Sequence, residues 1–170
     1  FRKSENQQRG ENEAHGGTGP LHVSDFPEQH PVSAALVEAC VQAGVRAKDD
    51  LNDGDQEGAS WFQATMKNGQ RCSAAVAFLH PAMGRSNLRV ETRAMTTRIL
   101  FDGKRAIGVE FRQNGELRRV MASREVILSA GSVESPKLLE ISGIGQGALL
   151  QELGVQLVHE SKMVGENMQD

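Results

Sequence analysis

The sequence predicts a mixed α/β fold, and three features of the chain support this. Apolar residues recur at helical spacing between His30 and Gly44, and a strand-rich stretch punctuated by turn dipeptides follows residue 85. The segment VILSAGSVESPKLLEISGIG, residues 126–145, then runs from an apolar stretch through small residues into a helical pattern that ends in glycine. An apolar run that leads into a helix in this way is typical of a strand covered on both faces, as in α/β proteins.

Composition excludes several classes of function. The net charge is −3 and the lysines and arginines are scattered, so the chain lacks the basic surface expected of a nucleic-acid-binding protein. It contains no apolar run of membrane-spanning length and no basic segment followed by an apolar leader. We therefore expect no nucleic acid partner, no membrane span and no secretion signal.

The two cysteines predict neither a metal site nor a disulfide framework. Cys40 and Cys72 lie far apart, outside any CxxC or Cys/His pattern. Free cysteine ordinarily packs as a small apolar residue, and free thiols persist in a reducing compartment. We therefore predict packing thiols, no metal ligands and a cytoplasmic location.

Residues 1–45 are predicted to form a loop, a short strand and one helix. The polar, glycine-rich residues 1–20 suggest a helix end followed by a loop, and Leu21–Val23 a short strand. Pro31 suits the first turn of a helix, and Gly44 its end.

Residues 46–85 are predicted to contain a polar loop and a strand–turn–helix unit. The acidic segment Asp49–Asp55 lacks the twelve-residue ligand spacing of a calcium loop, so we expect a solvated turn there. Trp61–Met66 alternates like a strand, and Asn68-Gly69 is a hairpin signal. Ser73 suits the N-cap of a helix that reaches Pro81.

Residues 86–170 are predicted to form a β-meander followed by strands and helices. Asp102-Gly103 and Asn114-Gly115 stand at hairpin spacing and indicate about three strands. These lead into a strand over Glu125–Ser129. A short helix over Leu149–Leu153, ended by Gly154, and a strand over Val155–Val158 complete the prediction. The change of composition near residue 85 marks the expected domain boundary.

The turn after Ser129 is a candidate nucleotide site. Ala130-Gly131-Ser132 removes bulk at the end of the predicted strand, and Ser135-Pro136 resembles an N-cap followed by proline at the first helical position. Ligands of open α/β sheets bind at such strand ends, against helix N-termini. The alternative is a tight packing turn with no ligand, which the spacing alone favours, and composition does not separate the two.

The run from Gly131 to Gly145 resembles the second signature of the glucose–methanol–choline (GMC) flavoprotein oxidoreductases. Further pieces resemble that family in the same order along the chain, nearest to its choline-dehydrogenase-like branch; they are GPL at 19–21, NGQRCSAAVAFLHPA at 68–82, NLRVETRA at 87–94, ASREVILSAG at 122–131 and VGENMQD at 164–170. The resemblance covers essentially the whole chain.

The resemblance implies FAD as the cofactor and a small-molecule alcohol as the substrate. It implies that residues 86–170 form part of a three-layer FAD-binding domain and residues 1–85 mostly part of a substrate domain. In the family the segment like TRAMT at 92–96 places its last residue against the adenine, which makes Thr96 a candidate; the family usually has Val there, and an ordinary strand residue is the alternative. Ser129, Ala130 and Gly131 are implied to lie near the adenosine half of FAD.

Two motifs of the family do not occur in this sequence. The family's opening G-x-G-x-x-G turn does not occur in these residues, and its catalytic His would lie downstream of Asp170. We therefore expect an internal piece of a longer enzyme that carries no catalytic residue, does not retain FAD by itself and self-associates through unpaired strands. The five histidines are predicted to be surface or capping residues; they are His15, His22, His30, His80 and His159.

An alternative function remains open at the level of sequence. A free-standing binding or interaction module could have kept the family's sequence without its chemistry. The glycine motif upstream and the histidine downstream would be encoded in the flanking gene under the enzyme hypothesis and absent under the alternative.

Overall fold

A computed structural model describes residues 1–169 and confirms the mixed α/β class. The chain divides after Val90 into two compact units, which we call the first and second units. The assignment of these units to a substrate domain and an FAD-binding domain stays a prediction. Asp170, which ends the VGENMQD segment, lies outside the described residues. Within residues 1–169, no helix is both long and apolar enough to cross a membrane.

The first unit opens with a pair of parallel strands, β1 (Glu5–Gln7) and β2 (Leu21–Val23). Strand β2 was expected, but the helix end predicted within residues 1–20 is wrong, because β1 lies there. The loop that connects the two strands passes so close to the residues before β1 that a Cβ on Gly16 would lie 1.8 Å from the carbonyl oxygen of Arg2. Glycine at this position therefore allows the strand pairing, a contact that side-chain periodicity does not reveal.

Helix α1 (Pro31–Gln42) forms as predicted. The His30 imidazole Nδ1 accepts a hydrogen bond from the Val32 N–H at 3.3 Å, which confirms a capping role for this histidine. Gly44 ends the helix with φ +94°. None of the helix side chains is fully buried, and Val32 and Leu36 are 70% and 65% exposed.

The rest of the first unit consists of a loop, a hairpin and a short helical stretch. Residues 46–59, which we call the 46–59 loop, are closed at the base by a bridge between Ala47 and Ala59. Strands β3 (Met66–Lys67) and β4 (Gln70–Arg71) form the hairpin predicted at Asn68-Gly69.

A π-helical turn, Ala75–Leu79, leads into α2 (His80–Ala82). The Ser73 Oγ accepts a hydrogen bond from the Val76 N–H at 3.3 Å, in keeping with the predicted cap. The strand predicted over Trp61–Met66 is largely wrong, because only Ala64 bridges to Ser24 and only Met66 belongs to a strand.

The second unit contains the predicted β-meander. Strands β5 (Met95–Asp102), β6 (Arg105–Gln113) and β7 (Glu116–Met121) form an antiparallel sheet in the order β5-β6-β7. Asn114 and Gly115 adopt positive φ values of 53° and 83°, as a tight hairpin turn requires.

Two helices and two short strands complete the second unit. They are α3 (Gly131–Ile141), β8 (Ile144–Gly145), α4 (Gly147–Glu152) and β9 (His159–Glu160), with β8 and β9 parallel. The helix predicted before Gly154 is present and begins two residues earlier than expected. The last strand is displaced from the predicted Val155–Val158 to His159–Glu160, because the partner strand β8 pairs at that register.

The strand predicted over Glu125–Ser129 is not formed. The segment carries no strand hydrogen bonds among the described residues, and Ile127 is 78% exposed. A strand exists only where a neighbour pairs with its backbone, so an apolar run alone does not produce one.

Candidate functional site

A cavity of about 730 Å³ in the second unit contains three of the four predicted site residues. Thr96, Ser129 and Ala130 all line it, and Gly131 follows directly as the first residue of α3. The walls are strand β5, the extended segment 126–130 and the first turns of α3. The structure thus brings together residues that are more than thirty positions apart in the chain.

The β5 wall is shaped by an irregularity in its pairing with β6. Thr96 lies opposite Phe111 and Arg98 opposite Glu110, so Thr97 is an extra residue between the two pairs. The Thr97 Oγ1 lies 3.1 Å from the Glu110 carbonyl oxygen and donates a hydrogen bond there. This bulge turns the half-buried Thr96 and Thr97 toward the cavity edge of the sheet.

The turn before α3 differs from the one predicted. The helix begins at Gly131, and Ser135 is not its N-cap; instead the Ser135 Oγ accepts a hydrogen bond from the Ala130 N–H at 3.0 Å. Pro136 therefore lies inside the helix, where its ring leaves one backbone carbonyl without its usual donor.

Gly131 has the conformation that the turn needs. Its φ is +92°, which other residues rarely adopt, and no atom lies within 4 Å of the position that a Cβ would take. The turn therefore leaves open space beside the backbone at the N-terminus of α3.

Ser142 fixes α3 against the sheet, and the sequence analysis missed it. Its buried Oγ donates to the Leu138 carbonyl at 2.5 Å and accepts from the Ile99 N–H at 2.8 Å. One hydroxyl thus joins the C-terminal end of α3 to the free edge of β5. The sequence does not reveal this role, because the partner of the serine, the Ile99 N–H, belongs to a strand that is distant along the chain.

Glu110 holds the three strands of the meander together and was also missed. It lies opposite Arg98 on one side and Arg119 on the other, at 3.0 Å and 2.9 Å. The hydrogen bond from Arg98, and then those from Arg119 and Thr97, hold the pKa of Glu110 below its ordinary value against the opposing effect of burial. The alternation of charges across neighbouring strands becomes visible only once their register is known.

The cavity is suited to binding rather than to proton or group transfer. Its lining is mostly apolar, and among the described residues its only charged members are Glu134 and Lys137, an exposed ion pair at 3.0 Å. Residues 1–169 contain no group of three His, Cys, Asp or Glu side chains able to hold a metal ion. The site can accept a group that is apolar on its faces and polar at its edges.

The prediction that His15 is a surface or capping residue is wrong. The side chain is 5% exposed and lies between Glu5 and Asp50 in the first unit. Sequence reasoning missed this because the two carboxylates are 10 and 35 positions away, so only the fold brings them to the ring.

Curated relatives match the chain along its whole length. It is 45% identical to "Choline dehydrogenase, mitochondrial" of Homo sapiens, covering 100% of this chain and 29% of that protein. It is 46% identical to "Oxygen-dependent choline dehydrogenase" of Paraburkholderia xenovorans, covering 100% of this chain and 31% of that protein. The chain thus spans about a third or less of the length of these relatives.

Solved structures of oxidoreductases also match the fold of the chain. Pyridoxine 4-oxidase from Mesorbium loti matches with a TM-score of 0.87 and 30% identity, over 95% of this chain and 32% of that one. An FAD-dependent oxidoreductase from Chaetomium thermophilum matches with a TM-score of 0.86 and 27% identity, over 94% of this chain and 30% of that one. The family model described as GMC oxidoreductase, N-terminal part, matches residues 1–170, and the chain belongs to the GMC oxidoreductase family.

Proposed function

We propose that the chain is part of an FAD-dependent oxidoreductase that oxidises the CH–OH group of a small, choline-like alcohol. Membership of the GMC family and the 45% identity to a choline dehydrogenase over the whole chain support the proposal. The observation that carries it is the convergence of Thr96, Ser129 and Ala130 on one cavity at the N-terminus of α3.

Within that enzyme, the cavity in the second unit receives the adenosine half of FAD. Three features fit such a group: an apolar lining from residues such as Ile99 and Leu138, the presence of Thr96 and Ser129 in that lining, and open space beside Gly131. Planar apolar bodies with a few polar edge groups are the usual occupants of such lining. The free N–H groups of the first turn of α3 suit the negative charge that adjoins the adenosine.

The roles of the chain's own residues follow from this placement. When bound, FAD supplies the acceptor for the hydride that leaves the alcohol carbon. Thr96 would hold the adenine through backbone groups, Ser129 and Ala130 would lie near the adenosine half, and Gly131 would let the backbone approach closely. No residue of this chain is assigned as the proton acceptor.

The test is flavin content in a full-length protein that carries this chain. We expect Gly131→Val to lower the flavin bound per polypeptide, because a branched side chain would fill the open space and strain a positive φ. Gly115→Val is the matched control, since Gly115 also has a positive φ and open surroundings but lies in the β6–β7 hairpin. Equal flavin content in both variants would contradict the site, and an unmodified protein without flavin would contradict the oxidoreductase function.

We also propose that residues 1–170 alone bind no FAD tightly. The G-x-G-x-x-G turn does not occur in them, and that turn supplies the principal phosphate contacts of a dinucleotide site. A stoichiometric flavin absorption spectrum of the purified 170-residue chain would contradict this.

Self-association of the 170-residue chain is a further part of the proposal. All six residues of the edge strand β7 are exposed, and the apolar segment Val126–Leu128 has no strand partner among the described residues. Unpaired edges pair readily with another copy. A monomer by light scattering at every concentration would contradict it.

The proposed location is a reducing compartment such as the cytoplasm. Cys40 and Cys72 are both free thiols, and Cys72 is buried. Fractionation of cells that express the native protein is the measurement that tests this.

A further inference from the structure

His15 is a buried histidine with a carboxylate at each ring nitrogen. Its Nδ1 lies 2.8 Å from Glu5 Oε1, and its buried Nε2 lies 2.9 Å from Asp50 Oδ2 but forms no hydrogen bond in this geometry. Glu5 belongs to β1, whereas Asp50 belongs to the 46–59 loop. The imidazole therefore bridges a strand and a loop.

Only a doubly protonated ring satisfies both carboxylates. A neutral imidazole carries one N–H and can donate to one of them, which would leave the other facing a ring lone pair. Burial opposes the charged ring, but the hydrogen bond to Glu5 and the negative charges of Glu5 and Asp50 raise the pKa of His15 above its ordinary value of 6.5.

Several of the remaining charges around His15 are engaged elsewhere. Glu5 Oε2 accepts from the Gly16 N–H at 3.1 Å, and Asp50 Oδ1 accepts from the Asn52 N–H at 2.7 Å. Among the other charged side chains of the surrounding elements, Arg9 pairs with Asp25, Arg2 with Glu11 and Lys48 with Asp53, while Asp49 precedes Asp50 in the loop. The His15 ring is therefore the group that can place a positive charge between Glu5 and Asp50.

The 46–59 loop forms one wall of a cavity in the first unit. This cavity, of about 1080 Å³, is lined on one side by β1, β2 and neighbouring residues, including Glu5, His15 and Leu21. On the other side it is lined by loop residues, namely Asn52, Gly54, Asp55, Gln56 and Glu57. A change in how the loop is attached therefore changes access to the cavity.

We propose that His15 is a proton-controlled latch that holds the 46–59 loop over this cavity when the ring is charged and releases it when the ring is neutral. The loop keeps another anchor throughout, because Arg9 donates a hydrogen bond to the Asp49 carbonyl oxygen at 2.7 Å, and it keeps its internal Lys48–Asp53 pair. The latch therefore loosens the middle of the loop around Asp50 without unfolding its base. Because the folded protein favours the charged ring, the loop is closed in mildly acidic solution and opens as the pH rises through the raised pKa of His15.

The test is amide hydrogen exchange of residues 50–57 between pH 5.5 and 9, corrected for the intrinsic pH dependence of exchange. In the unmodified chain we expect protection of these amides to fall about fivefold or more across that range. The ring nitrogen shifts of His15, followed by NMR in the same samples, should titrate with the same midpoint. We call the fall in amide protection at that midpoint the step. If the ring titrates without this step in residues 50–57, or if protection shows no step at all, the proposal is overturned.

Two variants, measured in the same exchange experiment, distinguish control by His15 from a general loosening of the loop. Asp50→Asn should remove the step, because the ring then has one carboxylate partner, and should leave the loop equally exposed at both ends of the pH range. Asp53→Asn is the control, since it removes the Lys48 pair within the same loop and should lower protection at every pH while the step remains. A step that survives in Asp50→Asn, or one that disappears in Asp53→Asn, would also overturn the latch.

Discussion

The two units of the chain have different interiors. Among the described residues, the second unit buries three large apolar side chains beside two polar ones, whereas the first unit buries only two small apolar side chains beside three polar ones. Those of the second unit are Ile99, Phe111 and Leu150 with Glu110 and Ser142, and those of the first are Cys72 and Ala77 with Gln7, His15 and Ser24. Apolar burial is insensitive to pH and needs no particular partner, but each buried polar group needs a hydrogen bond in a definite geometry. The second unit is therefore a packed scaffold for a cavity, and the first depends on its polar network.

The same contrast appears in the two buried charges. Glu110 is a carboxylate between two arginines, and His15 is an imidazole between two carboxylates. Arginine keeps its charge at every physiological pH, while histidine changes its charge near neutrality. The meander therefore responds to acid through Glu110, whereas the first unit responds to alkali through His15 and to acid through carboxylates such as Asp25, whose pKa the hydrogen bond from Arg9 lowers.

The largest expected effect comes from breaking the apolar core of the second unit. Leu150 is 1% exposed, and Leu150→Ala should lower the free energy of unfolding of that unit by about 2–5 kcal/mol through lost burial and a cavity. Leu153→Ala, at a position 67% exposed, is the control and should change it by about 0.5 kcal/mol or less. Urea unfolding followed by circular dichroism measures both, and equal losses would contradict the comparison.

A smaller effect is expected at the hydroxyl that joins α3 to β5. Ser142→Ala leaves the buried Ile99 N–H without its acceptor and should cost about 1–3 kcal/mol. Ser123→Ala, at an exposed serine of the same unit, is the matched control. Flavin content in a full-length protein should fall with Ser142→Ala alone, because the helix that borders the cavity loses its tie to the sheet; unchanged stability would show that water replaces the hydroxyl.

Alkali should act on the first unit through His15, whereas acid should act on the meander through Glu110 and also on the first unit, where Arg9 lowers the pKa of Asp25. The pKa of Glu110 is lowered on folding, so its contribution is present above the unfolded value and is lost as the pH falls through the folded one. The pKa of His15 is raised, so its contribution is present below 6.5 and is lost as the pH rises through the folded value. Both changes should be smaller than that of Ser142→Ala, because water screens Arg98 and Arg119, each about half exposed, and because the loop keeps its anchor at Asp49.

The two units can be followed separately across pH. Trp61 is the only tryptophan of the chain and lies in the first unit, and the chain has no tyrosine, so intrinsic fluorescence reports on that unit. Exchange protection of the β5–β7 amides reports on the meander. As the pH rises, we expect the fluorescence of the first unit to change before the exchange protection of the meander does. If the meander loses protection at alkaline pH before the fluorescence changes, the comparison is contradicted.

The smallest effect is expected at the rim of the cavity. Lys137 and Glu134 form an i,i+3 pair whose side chains are 59% and 60% exposed, and Lys137→Met should change the free energy of unfolding by less than about 0.5 kcal/mol. Flavin content should also stay unchanged, because no role in binding is assigned to the pair. A strong loss of flavin with unchanged stability would show that Lys137 contacts the cofactor.

The sequence by itself determined the family, the β-meander and the ends of α1. These features are local: Asp102-Gly103 and Asn114-Gly115 specify tight turns, and Pro31 and Gly44 mark where a helix starts and stops. The signature run from Gly131 to Gly145 needed no structure to be recognised. The residues Thr96, Ser129 and Ala130 were chosen through the same resemblance and converge on one cavity.

Tertiary structure alone decided the features that depend on distant partners. Strand β1 forms because glycines let a loop pass against it, whereas residues 125–129 form no strand because none of the described residues pairs with them. Ser142, Glu110 and His15 owe their roles to partners at least nine positions away, and each role requires a fixed register or a loop crossing. Periodicity and turn propensity act over a few residues, so they specify where elements begin and end, and the pairing of buried charges and strand edges emerges only when the whole chain is packed.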